Sequence, residues 1–505
     1  MQNIWKLWWV NKAVTELHQS PWQTRYLNFP NGVSLLAHDL TPFNGFLATF
    51  LMRWMTIIEA HNFVVVFSFV MGGLTAFLLA YCVTKSYWSS LVAGYMFTFS
   101  NYHFAHAPGH LPLVSLEWIP AFVLCWYIFV TKSGFIAAIA SALTLFAVLL
   151  SSYYYFLHSV FAALVIVVWY GFQKKDVLFL FRRNYLIPLA VFLVGIISTA
   201  GPLIVAFLLL HMSDPFGGGH SPSEFSLDLL ALFVPGGQWR FGELTQFHWS
   251  RVPGNTSESS AYVGFSAMLV VAYVWMNRKH PGTREVGLWL WMLVFFALMS
   301  LGPTLHIWGY RLSFIALPYR LFRDILPLKL SGVPARMAVM TILSASIICA
   351  MGLKILFQES RGKRALAAVL VALFVLEHLP RAMSASQIPI PEYVRVLKDL
   401  PEEGAVMDGT TDRRLMLYHQ TIHEKPIPFP YADRIPKSLY GKTRKLKEMV
   451  RFRQYTVLCR DYNVRYLVVE AGMESPANEP PVKMMYRDSK VQLYDLGHGC
   501  GKGRL

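Results

Sequence analysis

The sequence predicts a mainly α-helical membrane protein: a polytopic transmembrane helical bundle of about ten helices, followed by a small C-terminal extracytoplasmic α/β domain. Three observations predict it. Between residues 62 and 380, hydrophobic runs recur at the roughly 20-residue length that crosses a bilayer as a helix. Short loops with basic clusters separate many of them, as cytoplasmic loops do. Beyond residue 381 the apolar runs shorten while charge and proline rise, the mark of a separately folded aqueous domain.

Residues 1–62 open with a Trp-rich amphipathic stretch (Trp5, Trp8, Trp9). It lacks the basic and apolar regions of a signal peptide and predicts an interfacial helix on the outer face. Spans are predicted at 63–83, 88–104, 112–130, 134–152, 156–172, 185–210, 259–277, 285–302, 337–357 and 365–382. Three basic loops follow: Lys174, Lys175, Arg182 and Arg183; then Arg278, Lys279 and Arg284; then Arg361, Lys363 and Arg364. An even number of spans separates them, so all three fall on the cytoplasmic side. The domain over 63–382 then presents outside the turn at His106 to His110, a large loop over 211–258 and the segment 302–336. Long loops carry function more often than short ones, so the outer face is the expected working face. In the tail, 383–505, strands are expected at 405–408, 466–470 and 491–494, and helices at 396–400 and 445–459. No GxGxxG or P-loop points to a nucleotide, and no internal repeat is visible.

Composition narrows the class. The chain has 505 residues, 55% hydrophobic and only 15% charged, with a net charge of +16. The Lys and Arg residues lie in inter-helix loops and the tail, which topology and anionic lipid explain and nucleic acid does not. Five cysteines (Cys82, Cys125, Cys349, Cys459, Cys500) show no CxxC spacing, so neither a disulfide framework nor a zinc motif is expected.

Four constellations carry possible chemistry. Asn28-Phe-Pro-Asn-Gly leads to His38-Asp39 in the first outer segment, where Asp39 could act as a base, hold a cation, or cap the next helix. His103, His106 and His110 have helical spacing and could bind a metal. Pro108-Gly109 interrupts them, so His106 and His110 are the candidates, against the reading of solvated interfacial histidines. The outer loop carries Asp214, Gly217-Gly-Gly-His220, Asp228 and, at the mouth of the next span, Glu258. Asp228 lies in the apolar stretch 226–234. An acid at membrane depth is a functional candidate, although a helix charge or an ion pair with Arg240 or Arg251 would also place it. Last, Arg320, Arg323, Lys329 and Arg336 stand outside against the positive-inside trend. Arg grips phosphate oxygens bidentately, so Arg320, Arg323 and Arg336 are the candidate phosphate ligands. The competing readings are headgroup contact and pairing with Asp324.

Several motifs together resemble bacterial integral-membrane glycosyltransferases of the GT-C fold, near the YfhO-like and mannosyltransferase-like groups. They are Trp9-x-x-x-Ala13, Thr24-Arg-Tyr-Leu-Asn-Phe-Pro-Asn-Gly32, Ser100-Asn-Tyr-His103, His106-Ala-Pro-Gly-His110-Leu, Glu117-Trp-Ile-Pro120, Leu301-Gly-Pro303 and Pro334-Ala-Arg336. In the tail, His423-Glu-Lys-Pro-Ile-Pro with Arg434 is similar to the outer domain of the same proteins. The resemblance implies a multi-pass protein of the bacterial inner membrane and cell envelope. It would transfer a sugar from a polyprenyl-phosphate donor to a glycan, lipid or protein acceptor on the outer face, in contact with membrane lipids and without nucleic acid. It also implies a catalytic acid, here among Asp39, Asp228 and Glu258, and a divalent metal ion, Mg or Mn, as the cofactor. His106, His110 and Arg336 match motif positions. In such enzymes the acid follows a first membrane helix, and this chain is expected to lack that helix, since it starts within the corresponding loop. The alternative reading is a non-enzymatic lipid or polysaccharide transporter or assembly scaffold. It has against it the missing repeat and the lack of paired broken helices.

Overall fold

The structure, a computed structural model, describes residues 1–216, 220–280, 285–383, 388–429, 434–472 and 482–497. The expectations at Gly217, Gly218, Gly219, Arg284 and Cys500 lie outside these residues. The chain forms two compact units: Asn62–Pro202 with Gly219–Ser384, and Met1–His61 with Leu203–Gly218 and Ala385–Leu505.

The first of these units is a helical, multi-pass membrane body. Among the described residues, four helices are long and apolar enough to cross a bilayer: Ile57–Thr84, Leu111–Lys132, Tyr153–Lys174 and Pro334–Gln358. Arg183–Thr199 and Gly201–Ser213 make a fifth if counted together, and Phe135–Ser151, Phe265–Met276 and Val286–Ser300 are shorter apolar helices. Hydropathy counts apolar residues whether or not they are helical, which is why the expected runs come out interrupted. The run at 88–104 splits into Tyr87–Thr98 and Asn101–His106, with the Ser100 side chain capping the second. The run at 185–210 breaks before Pro202, whose missing N–H cannot continue a helical ladder. The run at 259–277 becomes helical only at Phe265, after Gly264 at φ 109°. Gly302, at φ +75°, closes Val286–Ser300, and a Cβ there would lie 1.9 Å from Ser226 Oγ.

Pro334–Gln358 is the central helix, 94% buried over its most apolar window. It packs against Tyr87–Thr98, Phe265–Met276 and Val286–Ser300. Small residues permit that close packing: a Cβ on Gly352 would meet Val270 Cγ1 at 2.4 Å. The segment 302–336 contains an antiparallel hairpin, Thr304–Ile307 with Tyr310–Ala316, paired Ile307↔Tyr310 at its tip. Hydropathy gave no sign of it.

The second unit is built on a four-stranded sheet. Ala405–Asp408 runs parallel to Val464–Glu470, which pairs antiparallel with Val491–Asp495, and Lys483–Arg487 forms the far edge. The expected strands are present. The expected helix at 445–459 is two, Lys442–Arg451 and Tyr455–Tyr462, with Arg453 at positive φ between them. Helix Arg413–His423 was not expected.

Residues 1–61 belong to this same unit. Helix Gln2–Asn11 packs on Arg413–His423, and Trp5 and Trp9 share a core with Met416 and Leu417. Trp5 Nε1 donates to Gln420 Oε1 at 2.7 Å. Buried Lys12 pairs with Glu16 at 2.8 Å and with Glu424. An amphipathic aromatic stripe signals an apolar partner, and here that partner is protein rather than lipid. Cys459 is disulfide-bonded, whereas Cys82, Cys125 and Cys349 are free. Sequence spacing could not reveal this, because a bridge depends on residues meeting in space.

Candidate functional site

Four side chains converge in the membrane unit, each from the end of a helix or turn. His106 ends Asn101–His106, and the turn through Pro108-Gly109 returns the chain so that the His110 N–H donates to the His106 carbonyl at 2.9 Å. The interruption that seemed to scatter the histidines is what apposes their rings: the two Nδ1 atoms are 3.1 Å apart. Glu258 sits in a turn fixed by Asn255, whose side-chain oxygen accepts its N–H at 2.9 Å. Arg336 lies in the 3-10 turn Pro334–Met337 that leads into the central helix.

Arg336 grips Glu258 with two nitrogens, Nε to Oε2 at 3.0 Å and Nη2 to Oε1 at 2.5 Å. This fork-to-fork geometry is specific to Arg. Both side chains are nearly buried, 9% and 4% exposed, and the guanidinium carbon lies 4.2 Å above the Tyr154 ring. One ligand atom from each of His106, His110 and Glu258 falls within 4.8 Å of the others. Tyr102 meets the His106 ring edge-on at 4.5 Å. Its hydroxyl lies 3.0 Å from that of Tyr155, which donates to the Leu113 carbonyl at 2.6 Å.

Burial pushes the Glu258 carboxyl upward, but the Arg336 charge and hydrogen bonds outweigh it and hold Glu258 well below the usual carboxylate range. Burial lowers His106 to about 3, so its imidazole is neutral and has a lone pair to offer. His106 Nε2 is buried without a hydrogen-bond partner among the described residues. Two imidazoles and one carboxylate form a donor set that can hold a divalent metal ion, and one less suited to Mg, which prefers oxygen ligands and retains its waters.

The remaining candidates stand elsewhere. His103 is a packing residue, stacked on Phe69 with its ring nitrogens 2.9 Å from the Thr98 carbonyl and 2.8 Å from that of Val114. Asp228 is fully buried, and both its oxygens accept backbone N–H groups, from Leu230 at 2.9 Å and Gly309 at 2.7 Å. It caps the turn Leu229–Leu232 and ties it to the hairpin tip, rather than pairing with Arg240 or Arg251. Arg320 and Arg323 are exposed, and Arg323 pairs with its neighbour Asp324 at 3.3 Å. Of the three arginines, only Arg336 joins the cluster. Asp39 belongs to the sheet-bearing unit, just before helix Pro42–Leu51. Sequence reasoning missed Tyr154, Tyr102 and Tyr155. The run Tyr153-Tyr-Tyr155 at a helix start was the available signal, since phenols at membrane depth need polar partners.

Residues 13–377 match the model of a family described as "Domain of unknown function (DUF6311)". No curated protein matches. Among solved structures, the chain is similar to ArnT from Cupriavidus metallidurans bound to undecaprenyl phosphate, at 11% identity and a TM-score of 0.47, covering 92% of this chain and 89% of that one. It is also similar to the archaeal oligosaccharyltransferase AglB from Archaeoglobus fulgidus, in complex with an inhibitory peptide and a dolichol-phosphate. There the identity is 11% and the TM-score 0.45, covering 94% of this chain and 66% of that one.

Proposed function

This chain belongs to the DUF6311 family, and from that premise we propose that it is a membrane glycosyltransferase. It transfers a sugar from a polyprenyl-phosphate donor to an acceptor hydroxyl on the outer face of a bacterial inner membrane. The observation that carries the reading is the buried Glu258–Arg336 pair beside His106 and His110, at the ends of apolar helices. It sets an anion-binding cation, a carboxylate and two imidazoles in one place.

The chemistry follows from those groups. The donor phosphate competes with Glu258 for Arg336, whose fork fits either anion. Glu258, freed from its partner, regains basicity and takes the proton of the acceptor hydroxyl. The acceptor oxygen bonds to the anomeric carbon as the carbon–oxygen bond to phosphate breaks, and polyprenyl phosphate leaves with the electron pair, its charge met by Arg336. His106, His110 and Glu258 would hold a divalent metal ion, which when bound would add positive charge near the phosphate oxygens. Asp228 and Asp39 are left as a structural cap and a residue without a role in this step.

The disulfide at Cys459 supports an oxidising compartment for the sheet-bearing unit, in line with an outer-face domain over 383–505. The test is release of polyprenyl phosphate by reconstituted protein given a panel of polyprenyl-phosphate sugars. Turnover lost in Arg336→Ala and Glu258→Gln supports the reading. Full turnover in both would remove the site, and lipid flipping without turnover in the wild type would favour a transporter.

A further inference from the structure

We propose that the hairpin Thr304–Ile307/Tyr310–Ala316 and the short helix Tyr319–Phe322 form a membrane-docking element that rests in the lipid headgroup layer, with Arg320 and Arg323 as its headgroup contacts. The proposal rests on the reading of this unit as membrane-spanning and not on its being a glycosyltransferase.

The first observation is exposure. Tyr310, Phe314 and Leu321 are 72%, 82% and 80% exposed. Large apolar side chains this uncovered, close in sequence to exposed arginines, need a partner outside the protein's own core. The second is architecture. Strand Tyr310–Ala316 alternates poorly, with Tyr310, Arg311, Ser313, Phe314 and Ala316 all exposed, so both faces of this outer strand are largely uncovered, while its partner Thr304–Ile307 lies against the body with Thr304 and His306 buried. Such a hairpin is marginal in water by itself. The third is anchoring. Tyr319 is fully buried and Leu328 nearly so, both in the core of the helical unit. The element is thus held at its root while Arg320, Leu321 and Arg323 face outward.

Charge and chemistry select the occupant. Aromatic and aliphatic groups flanked by arginines are the composition of a bilayer interface, where rings sit at headgroup level and cations meet lipid phosphates. A glycan platform would pair its aromatic faces with hydrogen-bonding side chains, and Leu321 and Phe314 supply none. Asp324 is the one acid in the patch and already faces Arg323. For Arg320 and Arg323, the exception to the positive-inside trend is then explained by lipid phosphate, while Arg336 stays with the buried cluster.

The experiment places a single environment-sensitive fluorophore on Phe314→Cys in the full chain, reconstituted in phosphatidylglycerol–phosphatidylcholine vesicles. The same label on Lys490→Cys, in a polar turn of the other unit, serves as the aqueous reference, and the labelled parent is subtracted. We expect quenching of the Phe314 site by lipid carrying a nitroxide just below the headgroup to exceed that of the reference by about twofold or more. In Phe314→Cys/Arg320→Gln/Arg323→Gln that excess should shrink in phosphatidylglycerol-containing vesicles and not in pure phosphatidylcholine. Quenching equal to the reference overturns the proposal. So do disulfide-linked dimers through Phe314→Cys, which would assign the surface to a second copy, and oligosaccharide protection of the label without lipid quenching, which would assign it to the acceptor. Because the probed side chain is already exposed, the substitution leaves the packed core intact.

Discussion

Consider the replacement of Glu258 by Gln and of Arg336 by Met, singly and together. The pair is bidentate, with contacts of 3.0 and 2.5 Å, and both partners are almost wholly shielded from solvent. Removing one partner leaves the other as an uncompensated buried charge, a cost of about 3–5 kcal/mol. Each single variant should therefore lose between two and nearly four powers of ten in its folding equilibrium, at about 1.4 kcal/mol per decade. The double variant leaves no charge behind, and its loss should be well below the sum. The coupling should be at least about 2 kcal/mol, within the range measured for residues in one ionic network. The stacking of Arg336 on Tyr154 is lost in both backgrounds that carry Met and so cancels from the cycle. Denaturant unfolding of the full chain in micelles gives the four stabilities. Additive losses, with coupling under about 0.5 kcal/mol, would refute the pair as a structural unit. The double variant also separates folding from chemistry: it should be folded and still release no polyprenyl phosphate, whereas turnover in it would remove Glu258 and Arg336 from the reaction.

His106→Ala should weaken Mn binding by about 10–100-fold or more, as loss of ligands or their supports does, read by manganese electron paramagnetic resonance on the reconstituted protein. Unchanged affinity would separate the histidines from any metal. Asp228→Asn should leave turnover near wild type and cost about 1–3 kcal/mol of stability, because the amide keeps one acceptor oxygen and leaves one of the two backbone N–H groups unpaired. A folded but inactive Asp228→Asn would return the acid to the reaction. In the sheet-bearing unit, buried His423 accepts the Lys425 N–H on Nδ1 at 3.0 Å, so it must be neutral to fold. Burial, then the Lys425 charge, depresses it to about 3 from 6.5. Its folded pKa lies below the unfolded one, so the unfolded chain binds the extra proton and stability falls as pH drops from 6.5 toward 3. The loss should be about 2 kcal/mol by about pH 5, measured by proteolysis of that unit against pH. A slope unchanged in His423→Gln would show that other groups set the acid limit.

Much of the fold was legible because the bilayer imposes one rule on composition. The helices Ile57–Thr84, Tyr153–Lys174 and Pro334–Gln358 answer runs of apolar residues, and the strands of the tail answer short β-branched and aromatic runs. Where helices break was less legible. At Ser100, Pro202 and Gly264 the run stays apolar while backbone geometry changes. The start of the chain shows the same limit, since Trp5 and Trp9 needed an apolar partner and nothing in residues 1–62 says whether it is lipid or helix Arg413–His423.

The sequence by itself determined the class of protein, the identity of the acids, cations and imidazoles available, and the separation of an apolar body from a polar tail, because these depend on composition along the line of the chain. Which of those groups meet was decided only by tertiary structure. Glu258 and Arg336 are far apart in sequence, yet share two hydrogen bonds, while Arg320 and Arg323, nearer to Arg336 in sequence, are exposed and take no part in the cluster. His106 and His110 became partners through the turn that seemed to part them, and Asp228, the acid that hydropathy marked, became a cap for backbone N–H groups. A charge buried in a low-dielectric interior must find its complement wherever the packing of helices brings one, and that packing is a property of the whole chain that no local stretch contains.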